Sequence, residues 1–198
     1  DELPKVSEKA AAPTGPLETY APTTPQPIDF SIQELPNSLL VVSASGQRLE
    51  MTSRFSTPEG AWTHGTNTYF SHTRRVETRE EAVVVFDTFT NLTDAPLPLM
   101  HRHEVSLDAA PKRLWIAGLE QPQGQGGAQS PANPTLCLET GAMRFGLLPL
   151  DDVFRIHNAT YVTPEFAGIA DNHLVLAPGA TYTAEWALIP QGDYWAFT

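Results

Sequence analysis

The sequence has little of several features that mark common protein classes. Its single cysteine, Cys137, permits no internal disulfide, so the 198-residue chain must fold by packing alone and its redox compartment stays open. No run approaches the roughly 18 apolar residues of a membrane span, and no signal peptide is visible. Lys and Arg number 12 against 23 Asp and Glu, which gives a net charge of −11. That charge repels phosphate backbones and anionic lipid, so neither nucleic acid nor a membrane is an expected partner.

Proline is unevenly distributed. Seven of the 18 prolines fall within residues 1–36. Each one fixes φ and removes a backbone donor, which predicts an extended arm or linker over 1–36 that Ile28, Phe30 and Ile32 pin at alternate positions. The remaining 37–198 is predicted to form one domain, since 41% hydrophobic residues suffice for a substantial core. The chain begins at Asp1 rather than Met, which is typical of a processed protein or a cut fragment.

From Ser38 onward, short β-rich runs alternate with turn residues, and apolar spacing of about 3.6 never persists for a full helix. The pattern predicts an all-β fold, an antiparallel β-sandwich of about ten to twelve strands. Asp151-Asp152 is interpreted as a turn that enters a strand. The predicted strands are Leu39–Ala44, Gln47–Phe55, Thr68–Glu77, Ala82–Thr90, Leu97–Leu107, Lys112–Ala117, Thr135–Thr140, Met143–Leu148, Val153–His157, His173–Leu176 and Thr181–Ile189.

Two histidines stand out in the run Met100-His101-Arg102-His103-Glu104. Residues two apart in a strand share a face, so His101 and His103 could chelate a metal, while Glu104 points the other way. Further ligands would have to come from His64, His72, His157 or His173, at spacings that match no metal motif. We therefore predict no metal site; hydrogen-bonded histidines in or beside the core, or a pocket lined by them, fit the pattern better.

Catalytic motifs are scarce. There is no G-x-S-x-G, and Cys137 alternates with Leu136 and Leu138 as a buried thiol would. The glycines of the 118–133 segment are not followed by a helix, which excludes a phosphate loop. No catalytic residue and no cofactor is assigned from the residues, although turn carboxylates such as Asp151-Asp152 could hold a structural calcium ion.

Aromatic residues near strand ends and in loops point to a ligand. A flat ring can stack on the apolar face of a sugar while nearby polar groups bind its hydroxyls, which suits neutral carbohydrate. Trp186 alternates with apolar neighbours and is predicted to be core, whereas the long loop Gly118–Asn133 is a candidate for ligand contact. Other rings of this kind are Tyr194 and Trp195. The candidate ligand-binding residues are Trp62, His64, His101, His103, Trp115 and Tyr161.

Four phrases of the sequence together resemble a known group of domains. They are Asp87–Asp94 with Pro96-Leu97, Gly146–Arg155, Leu174–Ala180, and Trp186–Pro190 with Gly192–Trp195. They are similar to accessory β-sandwich domains, often of the galactose-mutarotase-like supersandwich kind, in large bacterial glycoside hydrolases and polysaccharide lyases. The resemblance implies a secreted or periplasmic protein, an adjacent catalytic domain in a longer parent chain, and carbohydrate as the partner.

Three hypotheses follow. The first is a non-catalytic carbohydrate-binding or accessory β-sandwich domain of a glycoside hydrolase-like protein. The second is a sugar-processing enzyme of mutarotase or glycosidase type that uses His101 or His103 as general acid or base. The third is a structural interaction module whose Pro-rich arm docks on a partner. Glycan binding separates the first from the third, and turnover that is lost in His103→Ala would support the second.

Overall fold

The computed structural model describes residues 29–37, 39–44, 46–79, 81–122, 127–130 and 132–190. Within them the chain forms 17 strands and one short helix, which confirms the all-β prediction. Four of these strands are only two residues long, which is one reason that the number exceeds the predicted ten to twelve. Residues 1–28, and with them most of the predicted arm, lie outside the described residues, as do Tyr194 and Trp195.

The first sheet contains eight antiparallel strands. They are β1 (Phe30–Leu35), β2 (Leu39–Ala44), β3 (Gln47–Ser56), β4 (Trp62–Thr63), β8 (His101–Ser106), β11 (Gly127–Gln129), β14 (Asn158–Val162) and β15 (Phe166–Asp171). Their order is β1-β2-β3-β8-β15-β14-β11, and β4 pairs with β3. Strands distant in sequence thus become neighbours, and β3, β8 and β15 form the centre of this sheet.

The second sheet contains seven antiparallel strands. They are β5 (Phe70–Arg79), β6 (Ala82–Asn91), β9 (Arg113–Ile116), β10 (Leu119–Glu120), β12 (Leu136–Glu139), β13 (Arg144–Pro149) and β17 (Thr181–Ile189). Their order is β10-β9-β12-β13-β17-β6-β5. A separate two-stranded ladder joins β7 (Leu97–Pro98) to β16 (Val175–Leu176). As the predictions required, β2 and β3 form one hairpin and β5 and β6 another.

The core lies between the inner faces of the two sheets. Alternate residues of each strand point inward, for example Leu49, Met51 and Phe55 of β3. Val83 and Val85 of β6 do the same from the opposite sheet. Trp186 is fully buried and Cys137 is buried, as predicted. This two-layer packing is that of a β-sandwich.

One predicted strand is wrong. Residues 153–157 belong to the helix α1 (Asp152–His157), and Asp151 is its N-cap. The Asp151 carboxylate accepts hydrogen bonds from the amides of Val153 and Phe154, which satisfies donors that a helix start leaves open. The short run with apolar Val153, Phe154 and Ile156 resembles a strand, but only Phe154 is buried, and its ring packs edge-on against His101 with centroids 4.6 Å apart.

Six observed strands were not predicted: β1, β4, β10, β11, β14 and β15. β14 and β15 follow α1 and complete the first sheet, and β1 falls within the segment assigned to the arm. In β1 the predicted alternation holds, since Phe30 and Ile32 pack against the core. The segment Gly118–Asn133 is less irregular than predicted, because it contributes β10 and β11. Among the described residues, no helix is long and apolar enough to span a membrane.

Candidate binding face and internal polar network

The outer face of the first sheet carries a compact group of aromatic and charged side chains, here called the aromatic–arginine cluster. It consists of Arg54, Trp62, Arg102, Glu104 and Tyr161. Strand register brings them together, because Arg54 of β3 lies opposite Arg102 of β8 and Trp62 pairs at the end of β3. All five alternate with inward-facing neighbours and so share the outer side of the sheet.

Stacking and ion pairing order this cluster. The Arg102 guanidinium carbon lies 4.5 Å from the Trp62 ring centroid and 6.0 Å from that of Tyr161. Arg54 lies 5.7 Å from the Trp62 ring, and its Nη2 donates to both Glu104 carboxylate oxygens at 2.7 and 2.5 Å. Among the described residues, Arg102 forms no ion pair with a carboxylate. Its charge is therefore held between two rings and remains available to a ligand.

Tyr161 lies over a glycine of the neighbouring strand. A Cβ added to Gly168 would stand 2.7 Å from the Tyr161 hydroxyl oxygen and 2.6 Å from the His103 carbonyl oxygen. The absence of a side chain at Gly168 therefore allows the Tyr161 ring to pack directly over this strand. Burial, followed by the nearby charge of Glu104, raises the pKa of Tyr161 above its ordinary range, so the hydroxyl keeps its proton.

Gly168→Ala is expected to lower the free energy of unfolding by about 1–3 kcal/mol, because the new methyl group overlaps backbone and ring. Urea unfolding followed by tryptophan fluorescence measures the change. Gly141→Ala is the matched control, since a Cβ there would meet nothing within 4 Å. A Gly168→Ala variant as stable as the control would contradict the close packing of Tyr161.

The interior holds a second polar group, centred on the fully buried Asp87 of β6. Its Oδ1 accepts hydrogen bonds from Arg74 Nε at 2.8 Å and His72 Nε2 at 2.7 Å. Its Oδ2 accepts from Arg74 Nη2 and from Trp186 Nε1, each at 2.9 Å. Burial alone would raise the pKa of Asp87, but the charge of Arg74 and the His72 hydrogen bond hold it well below its usual range.

A chain of hydrogen bonds continues from this carboxylate. Arg74 Nη2 donates to Ser53 Oγ at 2.6 Å, and Ser53 Oγ lies 2.8 Å from His103 Nδ1. His103 Nε2 in turn lies 3.0 Å from His101 Nδ1, and the tautomers of the two rings decide which atom donates in each of these two histidine contacts. Burial lowers the pKa of both fully buried histidines, which keeps the rings neutral. The prediction of hydrogen-bonded core histidines is confirmed.

The chain of hydrogen bonds stops at His101, close to Asp171. His101 Nε2 lies 3.8 Å from Asp171 Oδ2, too far for a hydrogen bond, and finds no other partner among the described residues. Asp171 Oδ2 instead accepts from His157 Nδ1 at 3.0 Å, and Oδ1 accepts from the His173 and Leu174 amides. A line of polar side chains thus crosses the apolar core from Asp87 of β6 to His157 of α1.

The structure does not bring the six candidate residues into one site. Trp62 and Tyr161 belong to the aromatic–arginine cluster, while His101 and His103 face inward and are fully buried. Half-buried His64 bonds through Nδ1 to the Ser53 carbonyl at 2.9 Å. Trp115 lies in the other sheet, buried beneath the Arg113 guanidinium at 4.4 Å. Whether any of them binds a ligand stays a prediction.

Sequence reasoning missed the charged members of the cluster. Arg102 and Glu104 alternate with the histidines, and their outward direction follows from that alternation. Arg54 carries no such signal, because its position opposite Arg102 depends on the pairing of β3 with β8. Asp87 begins one of the four segments that carry the family resemblance, and it was likewise not recognised as a buried carboxylate.

Comparison with known proteins supports the fold and goes no further. No protein-family model matches the chain, and no curated protein matches it. Among solved structures, the Slr1438 protein from Synechocystis sp. PCC 6803 aligns with a TM-score of 0.51 and 7% identity, over 88% of this chain and 99% of that chain. A polysaccharide lyase aligns with a TM-score of 0.49 and 12% identity, over 86% of this chain but 33% of its own. The Slr1438 likeness shows that the two chains share a fold.

Proposed function

We propose that this domain binds carbohydrate on the outer face of its eight-stranded sheet, at the aromatic–arginine cluster. The observation that carries the proposal is the Arg102 guanidinium placed between the Trp62 and Tyr161 rings. Rings supply flat apolar area for a sugar ring, and the arginines supply donors for its oxygens. Ion pairing of Arg54 with Glu104 fixes the arrangement in advance, which reduces the entropy lost on binding.

The charges of the cluster bear on the kind of sugar. Arg54 and Arg102 face one carboxylate, Glu104, so the patch is locally positive on a chain whose net charge is −11. A neutral glycan would use stacking and hydroxyl hydrogen bonds, while a uronate or sulfated glycan would in addition meet Arg102. Both belong in the binding test, and their comparison measures what the guanidinium contributes.

The same geometry favours binding over catalysis. Glu104 is nearly buried and is bonded to Arg54 through both oxygens, so its carboxylate is already occupied by a partner within the cluster. The sugar-processing hypothesis relies on His101 and His103, whose rings have no exposed surface. We accordingly assign the chain the accessory role, in the manner of the supersandwich domains that its sequence resembles, beside a catalytic domain in a secreted or periplasmic protein.

Trp62→Ala is expected to weaken glycan binding about tenfold or more, because it removes the larger stacking surface. Affinity electrophoresis on soluble polysaccharides, neutral and acidic, detects binding, and calorimetry on the best ligand gives the dissociation constant. Phe86→Ala, which removes a half-buried ring beneath Arg75 on the outer side of the other sheet, is the control. Binding of no polysaccharide by the parent chain, or equal losses in both variants, would overturn the proposal. Circular dichroism is the check that each variant is folded.

A further inference from the structure

We propose that His157 and His173 form a site for one divalent transition-metal ion, such as zinc or nickel, at the rim of the sandwich. The two side chains come from separate elements, since His157 ends α1 and His173 follows β15. Neither residue belongs to the aromatic–arginine cluster, so the inference is independent of glycan binding. Imidazole is a common ligand for such ions.

The two rings stand at a separation that an ion can bridge. Their centroids are 5.8 Å apart, and the ring planes meet at 71°. Two imidazoles on one tetrahedral ion, with nitrogen-to-metal distances of about 2.1 Å, place their centroids about 5 Å apart. Because the His173 side chain is exposed, it can rotate about its χ angles to turn a ring nitrogen toward His157. The His157 side chain is 30% exposed, so an ion in solution reaches both rings.

A buried carboxylate organises the pair. Asp171 has no exposed surface, and its Oδ2 accepts the His157 Nδ1 proton at 3.0 Å, which leaves Nε2 with the lone pair that binds a metal. Its Oδ1 accepts the His173 amide proton at 2.7 Å and so fixes the backbone of the second ligand. Histidines that bind metals commonly donate their other ring proton to a carboxylate in this way.

A buried side chain next to Asp171 has polar atoms that lack hydrogen-bond partners among the described residues. The Asn158 side chain is 2% exposed, lies in register with Asp171, and finds no hydrogen-bond partner for either polar atom among the described residues. His173 also lines a cleft of about 420 Å³ together with Asn172 and Leu99. An ion held by two histidines keeps open positions for water or for an oxygen of a bound molecule.

The other pair of neighbouring histidines, His101 and His103, is unsuitable as a metal site. His101 Nδ1 and His103 Nε2 lie 3.0 Å apart and share a hydrogen bond, so no ion fits between them. Within the described ranges, no group of three or more His, Cys, Asp and Glu side chains is arranged to hold a metal. The site is therefore expected to be an open two-histidine site, weaker than a closed structural zinc site with four protein ligands.

Titration of the purified chain with zinc chloride in a calorimeter tests the proposal. We expect about one ion per chain, a tenfold or greater loss of affinity in His157→Ala and in His173→Ala, and a loss of about 10–100-fold in Asp171→Asn. His64→Ala is the matched control and should bind like the parent. Histidine side-chain NMR should show the His157 and His173 resonances shifting on addition of zinc.

Two results would overturn the proposal: no saturable binding by the parent chain, or binding that survives in the His157→Ala/His173→Ala double variant. The second result would mean that zinc binds elsewhere. If circular dichroism shows that Asp171→Asn is unfolded, that variant is left out, because His157→Ala and His173→Ala test the metal site by themselves. Trp62→Ala should bind zinc like the parent, which separates failure of this site from failure of glycan binding.

Discussion

Asp87→Asn is expected to lower the free energy of unfolding by about 3–5 kcal/mol, the cost of breaking a buried ion pair by removing one partner. The carboxylate balances the Arg74 charge and accepts four hydrogen bonds, one of them from Trp186. An amide has the same shape, but it lacks the charge and offers one acceptor oxygen instead of two. Urea unfolding near pH 7 measures the loss.

Asp94→Asn is the matched control, since Asp94 is exposed and should change stability by less than about 0.5 kcal/mol. The Trp186 indole provides a second reading, because the variant removes its hydrogen bond to Asp87 and should shift its fluorescence. Equal stability of Asp87→Asn and Asp94→Asn would show that the buried charge pair contributes little net stability.

Acidification from about pH 7.5 to about pH 5 is expected to destabilise the fold steeply. His101 and His103 have lowered pKa values in the folded state, whereas an unfolded chain protonates histidine near pH 6.5. Below that pH the unfolded state binds more protons, so the stability that the neutral rings provide is complete above about pH 6.5 and is lost as the pH falls. Two such histidines give a slope of up to about 2.7 kcal/mol per pH unit.

Several titratable and charged groups face the His101 and His103 rings. His101 lies among Asp87, Asp151, Asp171 and His157, while His103 lies among Asp87, Arg74, His72 and His101. Asp87 adds no slope in this window. Because its pKa is lowered, the stability that it contributes is complete above about pH 3.8 and is lost only at lower pH. Urea unfolding at several pH values should show a shallower slope in His103→Gln than in the parent chain. Parallel slopes in the parent and His103→Gln would contradict the assignment.

Alternation with period two carried most of the fold prediction. Hydrophobic inner faces and turn residues are local signals, so the hairpins β2–β3 and β5–β6 were predicted from sequence. The strand prediction for residues 153–157 failed because a six-residue helix is too short to show its own periodicity. The contact that starts this helix is the side-chain cap from Asp151. β14 and β15 pair with each other, and each also pairs with a strand distant in sequence, β14 with β11 and β15 with β8.

The candidate site was only partly accessible to sequence reasoning. Trp62 and Tyr161 were selected as ring residues, but nothing local indicates that Arg102 lies between them, because β4 and β14 reach β8 only through the assembled sheet. The histidine pair was correctly placed on the apolar face. Its link to Asp87 through Ser53 and Arg74 crosses from one sheet to the other, and no spacing in the sequence encodes that crossing.

The position of β17 has a consequence for biosynthesis. This strand lies between β6 and β13, and its Trp186 caps the Asp87 carboxylate. While the ribosome is still translating residues 181–189, β6 and β13 each expose an edge that lacks its neighbour. Nascent chains stalled before this strand should therefore be protease-sensitive and inclined to recruit chaperones, and native structure should arise late, in a single step, once β17 inserts.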